Sequence, residues 1–569
     1  MAELDLVVRG GNVVDGTGGA PRTADVAVRD GVVVEVGRVT DRARRVIDAD
    51  GALVTPGFVD IHTHYDDQVT WDSHLLPSAG HGVTTVVMGN CGVGFAPVRP
   101  GDEQKLIELM EGVEDIPGAA LHEGLPWDWE SFAELLDSMD RIPHDIDFAA
   151  QVPHGPLRLY VMGQRGADRE PATAEEIAEM GRLAAEAVRA GALGFTTSRT
   201  LNHRTSRGQP TPTLTAARDE LVGIAAAVGA TGAGVLQLIT DFIDFDDEFG
   251  TLRAMAEASG RPLSLSLMQT HRQPELWRQI LGAISQANDD GLTIRGQVAT
   301  RAIGILVGLQ ASINPLARCP SFAAVSSLPL AEQVARLAEP GLRAALLSES
   351  AAAPRGLIDD LDRTFVLSER PDYEPAPSES VAARAARAGV GPDELLYDLL
   401  LGCGGRQLLY IPVMNFADGD LGPVEVMLEH PHTVPGLGDG GAHVGIISDG
   451  SFPTTLLAHW GRDRARGRRL DVAWLVQRHT RDTAEAVGLL DRGLLAPGYK
   501  ADLNVIDFDA LAVGAPEMVY DLPAGGKRLL QPADGYLHTV VSGAAVRTDG
   551  ASTAELPGRL VRGARPRPA

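Results

Sequence analysis

The 569-residue chain is poor in cysteine and has no apolar run near the ~20 residues of a membrane span. Cys91, Cys319 and Cys403 are an odd number and lie far apart, so a disulfide framework is not expected. The N-terminus, "MAELDLVVRG", lacks the basic segment and long apolar run of a secretory signal. These absences predict a cytoplasmic protein with no membrane as a partner.

Basic residues are outnumbered: 50 Lys and Arg stand against 76 Asp and Glu, for a formal net charge of −26. An acidic surface argues against nucleic acid or an anionic membrane as a partner. The hydrophobic fraction of 44% and the charged fraction of 22% are those of a globular protein. The length allows one large domain and a smaller one.

Both ends of the chain contain short runs of alternating valines, broken by Gly and Asp-Gly. "LDLVVRGGNVVDG" is such a run near the N-terminus and "ADLNVIDFDAL" is one near the C-terminus. This pattern is typical of short β-strands joined by tight turns. We therefore predict a small β-sandwich domain made of residues 1–55 and 495–569.

Between the two ends, strand-like apolar runs alternate with alanine-rich helical segments. "HGVTTVVMG" reads as a strand, and "TAEEIAEMGRLAAEAVRAG" reads as a helix with a Thr cap and an acidic first turn. The alternation predicts an α/β fold, a (β/α)8 TIM-like barrel over residues 56–494. A long stretch without convincing barrel strands predicts a mainly helical insertion at about 306–432.

Two histidines end a short apolar run in "GFVDIHTHYDD". Residues two apart on a strand share a face, so His62 and His64 are expected to point to the same side. The carboxyl ends of barrel strands carry the active site. The pair is therefore predicted to bind a metal ion, against the alternative of two surface histidines in a turn.

Two further strand ends carry metal-binding side chains. Cys91 follows an apolar strand in "VVMGNCGVGFAP", and a thiolate is a strong zinc ligand. Asp439, in "GLGDGGAHVG", can hold a metal and take a proton from water. The alternatives are a packed thiol for Cys91, as favoured for the other two cysteines, and a simple Asp-Gly turn for Asp439. His443 is either a substrate contact or an ordinary loop histidine.

A polar, cationic cluster follows another predicted strand in "GFTTSRTLNHRTSRG". Arg199 is able to bind a carboxylate through two parallel hydrogen bonds. His203 lies four residues further on. We predict that Arg199, His203 and His443 contact the substrate, with a solvated loop as the alternative for the cluster.

Several motifs together resemble those of a known superfamily. "TPGFVDIHTHYD", "GDGG" and "GLLAPGYKADLNVID" look like the amidohydrolase superfamily, and "MGNCGVGFAPV", "LMEGVEDIP" and "VPHGPLRLYVMG" resemble the D-aminoacylases within it. The resemblance implies a metal-bearing barrel, a β-sandwich from both termini and hydrolysis of an amide. It also implies that His62, His64 and Cys91 bind zinc and that Asp439 is both a metal ligand and the catalytic carboxylate.

The chain departs from the superfamily pattern in its lysines. Many members bridge two metals with a carboxylated lysine, but this chain has only Lys105, Lys500 and Lys527. The last two lie in the predicted C-terminal β-region, and the first lies in a polar segment. A lysine bridge is therefore not expected, which strengthens the prediction for Cys91.

A second departure concerns histidines on the fifth and sixth strands. Gln237 and Gln269 stand where the family pattern has histidines, and His271 follows two residues later. An amide oxygen is a poor zinc ligand compared with imidazole. One zinc ion is therefore favoured over two, and a role for His203 or His271 as a further ligand stays open.

The function predicted is metal-dependent hydrolysis of a C–N amide bond in a small-molecule substrate, an N-acyl-D-amino acid or a related N-acyl compound. Asp439 is the expected general base. The alternatives are hydrolysis of a cyclic amide or other non-aminoacyl amide, and a weakly catalytic binding protein on the same scaffold. Assembly into a homo-oligomer also stays open.

Overall fold

The computed structural model of the chain describes residues 3–352 and 360–569. Its strands are β1 Leu4–Val13, β2 Arg22–Arg29, β3 Val32–Gly37, β4 Ala43–Asp48, β5 Leu53–Pro56, β6 Phe58–Asp60, β7 Val83–Met88, β8 Asp147–Ala150, β9 Val152–Pro153, β10 Gly194–Arg199, β11 Val235–Thr240, β12 Leu263–Leu267, β13 Ile294–Val298, β14 Ile303–Val307, β15 Phe365–Val366, β16 Leu409–Met414, β17 Thr433–Pro435, β18 Leu503–Ile506, β19 Ala512–Val513, β20 Glu517–Leu522, β21 Gly526–Leu530, β22 Ala533–Asp534, β23 Tyr536–Val541, β24 Ala544–Thr548 and β25 Ala551–Ser552.

The helices lie mainly between these strands. They are α1 Glu103–Glu114, α2 Gly118–Gly124, α3 Phe132–Met139, α4 His154–Met162, α5 Gln164–Ala167, α6 Ala174–Ala190, α7 Arg218–Gly229, α8 Phe245–Ser259, α9 Leu276–Asp289, α10 Leu330–Leu337, α11 Pro340–Ala352, α12 Val381–Ala388, α13 Pro392–Leu400, α14 Gly402–Gly405, α15 Gly422–Glu429, α16 Phe452–Thr455, α17 Val472–His479 and α18 Arg481–Ala486.

Strands from both ends of the chain form one nine-stranded sheet. Its order is β25-β24-β23-β18-β5-β1-β2-β3, with β4 beside β1. The N- and C-terminal parts join where β18 pairs antiparallel with β5. Alternate valines such as Val8, Val26 and Val505 are fully buried against this sheet. Adjacent residues such as Val7 and Val8 are both buried and belong to different apolar clusters, so this sheet is covered on both faces rather than on one.

The parallel strands of the central region follow one another in chain order. Strands β6, β7 and β8 form one set, and β9, β10, β11, β12, β13 and β17 form another. Only Gln151 separates β8 from β9. Just beyond β17 and β6, the His64 N–H donates to the Gly440 carbonyl at 2.8 Å, and the Asp439 N–H donates to the His62 carbonyl at 3.0 Å. These bonds join the end of the last strand to the end of the first.

The central strands and helices form where the sequence predicts them. Helix α6 begins after Thr173, whose hydroxyl accepts from the Glu176 N–H in a capping box. The predicted strand "HGVTTVVMG" becomes β7, all of whose residues are buried. Continuous burial is typical of a parallel strand that is covered on both faces.

The segment between β13 and β17 contains helices α10 to α15 and has a small apolar core of its own. It also contains an antiparallel sheet of β14, β16 and β15, which the sequence did not indicate. Leu306 pairs with Tyr410 in this sheet. Partners so far apart in sequence leave no local turn signal, so the strands are hard to read from the sequence. Within the described ranges, no helix combines the length and apolarity needed to cross a bilayer.

Candidate metal centre

Three side chains that follow the carboxyl ends of β6 and β7 meet in a compact, buried group. The potential ligand atoms of His62, His64 and Cys91 all lie within 4.8 Å of one another. His62 Nε2 is 3.4 Å from Cys91 Sγ. Neighbouring ligand atoms around a tetrahedral zinc ion lie about 3.3–3.8 Å apart, given bond lengths of about 2.0–2.3 Å. The structure thus brings together the two histidines and the cysteine that the sequence singles out.

The backbone after β7 explains how Cys91 reaches the histidines. Asn90–Gly92 forms a single 3₁₀ turn directly after the strand, and Cys91 has a φ of 54°. A left-handed conformation is uncommon for a residue other than glycine and is found often at functional sites. The Cys91 N–H donates to the side-chain oxygen of Gln237 at 3.3 Å. This turn directs the thiol back toward the ends of β6 and β7.

Both histidines have an acceptor beside the Nδ1 atom. His62 Nδ1 lies 2.6 Å from Gln297 Oε1 on β13. His64 Nδ1 lies 3.3 Å from Glu114 Oε1 at the end of α1. The hydrogen-bonded acceptor at His62 Nδ1 fixes the tautomer in which Nε2 is free to bind a metal, whereas Glu114 lies beside His64 Nδ1 without a hydrogen bond to it. The sequence reasoning named neither residue, although Glu114 stands inside the quoted motif "LMEGVEDIP".

Asp439 lies on the more open side of the histidines. Its Oδ1 atom is 3.5 Å from His62 Nε2 and 3.8 Å from His64 Nε2, and its side chain is 14% exposed against 1% for each histidine. It does not join the compact group of three ligand atoms. Asp439 has a φ of 46°, within a glycine-rich turn. A side chain at Gly438 would collide with Asp60, since its Cβ would lie 2.4 Å from Oδ2.

Burial controls the protonation of this cluster. Burial lowers the pKa of His62 to about 4, although the hydrogen bond to Gln297 opposes the shift. Burial raises the pKa of Asp439 to about 7. For Cys91 and Glu114, burial and the charge of neighbouring carboxylates hold the pKa well above the usual range. Neutral imidazoles beside crowded acidic groups favour a bound cation, which would stabilise the ionised carboxylates and thiolate.

One orphaned polar atom fits the same conclusion. Asp439 Oδ1 is buried and has no hydrogen-bond partner among residues 3–352 and 360–569. A buried carboxylate oxygen without a partner costs free energy, which a metal ion between it and the histidines would offset. The donor set of two imidazoles, a thiol and a carboxylate is one that suits zinc. The residues present therefore fit a zinc ion.

The glutamines that replace the expected family histidines have different surroundings. Gln237 lies next to the candidate centre through its bond to the Cys91 N–H. Gln269 faces the insertion, where its side-chain nitrogen donates to Asp418 at 2.9 Å and its oxygen accepts from the Ala417 N–H at 3.0 Å. The neighbouring His271 contacts the Pro412 carbonyl and Arg363. Gln269 and His271 are thus engaged with the insertion.

The three residues predicted to contact the substrate do not all lie beside the candidate centre. Arg199 forms an ion pair with Glu248, with both guanidinium–carboxylate hydrogen bonds at 2.9–3.0 Å. His203 is half-buried, and its Nδ1 atom is 2.9 Å from Ser198 Oγ. Burial lowers the pKa of His203 to about 3, and the charges of His443 and His62 lower it further. His203 and His443 therefore belong to the surroundings of the centre, whereas the Arg199 guanidinium is occupied by Glu248.

The three lysines contact groups other than the ligands of the candidate centre. Lys105 contacts Asp102, and Lys500 contacts Asp147 and Asp502. The Lys527 ammonium donates to the carbonyl of Gln310. The position of a bridging lysine is therefore not filled from these three side chains.

Two histidines, a thiol and a carboxylate follow the carboxyl ends of parallel strands in this protein. This arrangement is a candidate metal centre of a hydrolase-like α/β fold. A family model described as "Amidohydrolase family" matches residues 45–547. The chain belongs to this family, and the resemblance read from its motifs is confirmed.

Individual relatives match almost the whole chain. An N-acyl-D-glutamate deacylase of Alcaligenes xylosoxydans xylosoxydans is 29% identical over 574 residues, which cover 98% of this chain and 97% of that protein. A crystal structure of D-aminoacylase has a TM-score of 0.64 at 25% identity, over 99% of this chain and 100% of that one. An N-acyl-D-glutamate deacylase from Bordetella bronchiseptica, complexed with zinc and a phosphonate inhibitor, has a TM-score of 0.63 at 23% identity over 99% and 100%. The last likeness shows the fold alone.

Proposed function

We propose that this protein is a zinc-dependent hydrolase of N-acyl-D-amino acids that binds one zinc ion. The observation that carries the proposal is the buried group of His62, His64 and Cys91, with Asp439 beside the two histidines. Family membership and the full-length similarity to an N-acyl-D-glutamate deacylase support the substrate class.

The proposal includes a fold in which the parallel strands close into one (β/α)8 barrel. The chain order of β6 to β17 and the hydrogen bonds between the ends of β17 and β6 support closure. Residues 1–55 and 495–569 would then form the separate β-sandwich domain, and the segment at about 306–432 would be an insertion over the active-site face. In such barrels the carboxyl ends of the strands carry the catalytic groups.

When bound, the zinc ion would polarise the amide carbonyl and increase the acidity of an attacking water. His62, His64, Cys91 and Asp439 would hold it. The Asp439 carboxylate would accept the proton of the attacking water and pass it to the leaving nitrogen. His203 and His443, which are more exposed than His62 and His64, would contact the substrate carbonyl or its carboxylate. Arg199 would serve the substrate only if it exchanged Glu248 for the substrate carboxylate.

The proposal is tested by a hydrolysis screen of the zinc-loaded protein. The panel would contain N-acetyl-D-amino acids, their L-enantiomers and cyclic amides. We expect turnover of D-substrates above that of the L-enantiomers. Turnover of cyclic amides alone would replace the proposed substrate class, and zinc binding without any turnover would favour a binding protein.

The role of Asp439 has its own test. Asp439→Asn keeps an oxygen near the histidines but is a poor base, so we expect turnover to fall by about 10²–10⁴-fold. Zinc content should stay close to that of the wild-type protein, because His62, His64 and Cys91 remain. Near-normal turnover in this variant would exclude Asp439 as the base.

A further inference from the structure

Glu114 lies between two histidines of the candidate centre. Its Oε1 atom is 3.3 Å from His64 Nδ1, and its Oε2 atom is 3.5 Å from His443 Nε2. The Glu114 side chain is 1% exposed. One carboxylate therefore contacts both a member of the compact ligand group and a histidine of the turn that follows β17.

The end of α1 brings this carboxylate into the site. Asp115 caps the helix in a left-handed conformation, with a φ of 54°. The Asp115 side chain accepts from the Gly445 N–H at 3.1 Å and from the Ser312 hydroxyl at 2.7 Å. Adjacent carboxylates thus contact both His443 and Gly445, so the helix end is fixed against this turn.

There is little room for the turn to shift against α1. A Cβ added at Gly445 would lie 2.2 Å from Ser312 Oγ and 2.9 Å from Asp115 Oδ2. Contacts below 3.0 Å are not compatible with ordinary packing. The distance between α1 and the turn is therefore set by close contact, and Glu114 is held at a fixed distance from His443.

A buried carboxylate with two imidazole neighbours is a poor source of stability. Removing a charge from water costs several kcal/mol, and the separations of 3.3–3.5 Å are long for charge-assisted hydrogen bonds. Carboxylates behind metal-binding histidines, by contrast, orient the ring and raise the basicity of the nitrogen that binds the metal. Glu114 lies where such an orienting group would lie, 3.3 Å from His64 Nδ1 and without a hydrogen bond to it.

We infer that Glu114 is a positioning residue that orients His64 for zinc and sets the place of His443 relative to it. The inference rests on the proposed function, because it requires a metal ion at His64 Nε2. If so, helix α1, and not only the residues at the strand ends, supports the centre. It also means that His64 and His443, the proposed metal ligand and the proposed substrate contact, share one supporting carboxylate.

The test measures zinc affinity by competition with a chelator, so it does not depend on the substrate. Glu114→Gln weakens the acceptor, and Glu114→Asp keeps the charge but is too short to reach both imidazoles. We expect each variant to bind zinc about 10–100-fold more weakly than the wild-type protein. Glu103→Gln, on the same helix and away from the centre, is the matched control and should change the affinity less than about threefold.

The zinc-free proteins separate positioning from folding. Melting temperatures of the zinc-free variants should stay close to that of the zinc-free wild-type protein, because Glu114 contributes little stability without the metal. Wild-type affinity in Glu114→Gln or Glu114→Asp, or an equal loss in Glu103→Gln, would overturn the inference while leaving the proposed function intact. A wild-type protein that binds no zinc would overturn both.

Discussion

Two polar clusters of this protein are equally buried but differ in how their polar atoms are satisfied. In the candidate centre, Asp439 Oδ1 and His64 Nδ1 have no hydrogen-bond partner within the described ranges. The second cluster is centred on Glu374, in the segment between β13 and β17. Glu374 accepts hydrogen bonds from His459, Arg464 and the Leu421 N–H. The first cluster therefore leaves buried polar atoms that the proposed metal ion would satisfy, whereas the carboxylate of the second is satisfied within the chain.

The largest expected effect comes from removing a ligand of the first cluster. His62→Asn takes away the imidazole that lies beside both Cys91 and Asp439. We expect zinc content to fall from about one ion per chain to nearly none, and kcat/KM to fall by about 10³-fold. Metal analysis and kinetics on the purified variant check this. Full zinc content would mean that the metal is bound elsewhere.

The next effect concerns an acceptor behind a ligand. Gln297→Leu keeps the approximate volume but removes the oxygen 2.6 Å from His62 Nδ1. We expect zinc affinity to fall by about 10–100-fold, because the ring loses its orientation. Chelator competition measures this, and unchanged affinity would remove Gln297 from the support of the centre.

Gln269→Leu is the control for Gln297→Leu, because it makes the same substitution at a glutamine that contacts the segment between β13 and β17. The amide of Gln269 donates to the exposed Asp418 and accepts from the half-buried Ala417 N–H, so its loss removes two partly solvated hydrogen bonds. We expect the free energy of unfolding to fall by about 1 kcal/mol, with zinc affinity unchanged. Urea unfolding and chelator competition together check this. A loss of zinc affinity here would mean that the Gln269 contacts also support the candidate centre.

The smallest effect is a pH dependence of the unfolding free energy that comes from the cluster around Glu374. Burial opposes the shift, but hydrogen bonds from His459 and Arg464 lower the pKa of Glu374 from 4.5 to about 2. A carboxylate with a lowered folded-state pKa stabilises the fold above its unfolded pKa, and that stabilisation is lost as the pH falls through the folded value. Between pH 6 and pH 3, the wild-type protein should lose about 1 kcal/mol more unfolding free energy than Glu374→Gln. Equal losses in urea unfolding would show that the ion pair contributes nothing.

The sequence predicts the parts of the centre that are local. The spacing of His62 and His64 predicts that they point to one side, and they do lie together, although β6 ends at Asp60 and both follow the strand rather than form part of it. Cys91 and Asp439 also follow recognisable strands. The supports of the centre are not local. Glu114 reaches His64 from a helix, and its role depends on a contact that no spacing encodes.

The same limit explains the differences elsewhere. Arg199 reads as a free cation in the sequence, but it pairs with Glu248, which is 49 residues away. The sheet in the insertion pairs strands about a hundred residues apart, such as Leu306 with Tyr410. Neither partner can be identified from the periodicity of its own segment.

Zinc X-ray absorption spectroscopy of the purified wild-type protein tests the central claim most directly, because it reports which atoms bind the metal. The proposed centre predicts one sulfur at about 2.3 Å, from Cys91, and nitrogen or oxygen ligands at about 2.0–2.1 Å, from His62, His64 and Asp439. The sulfur contribution should be absent in Cys91→Ala. A zinc environment that contains no sulfur in the wild-type protein would contradict the account.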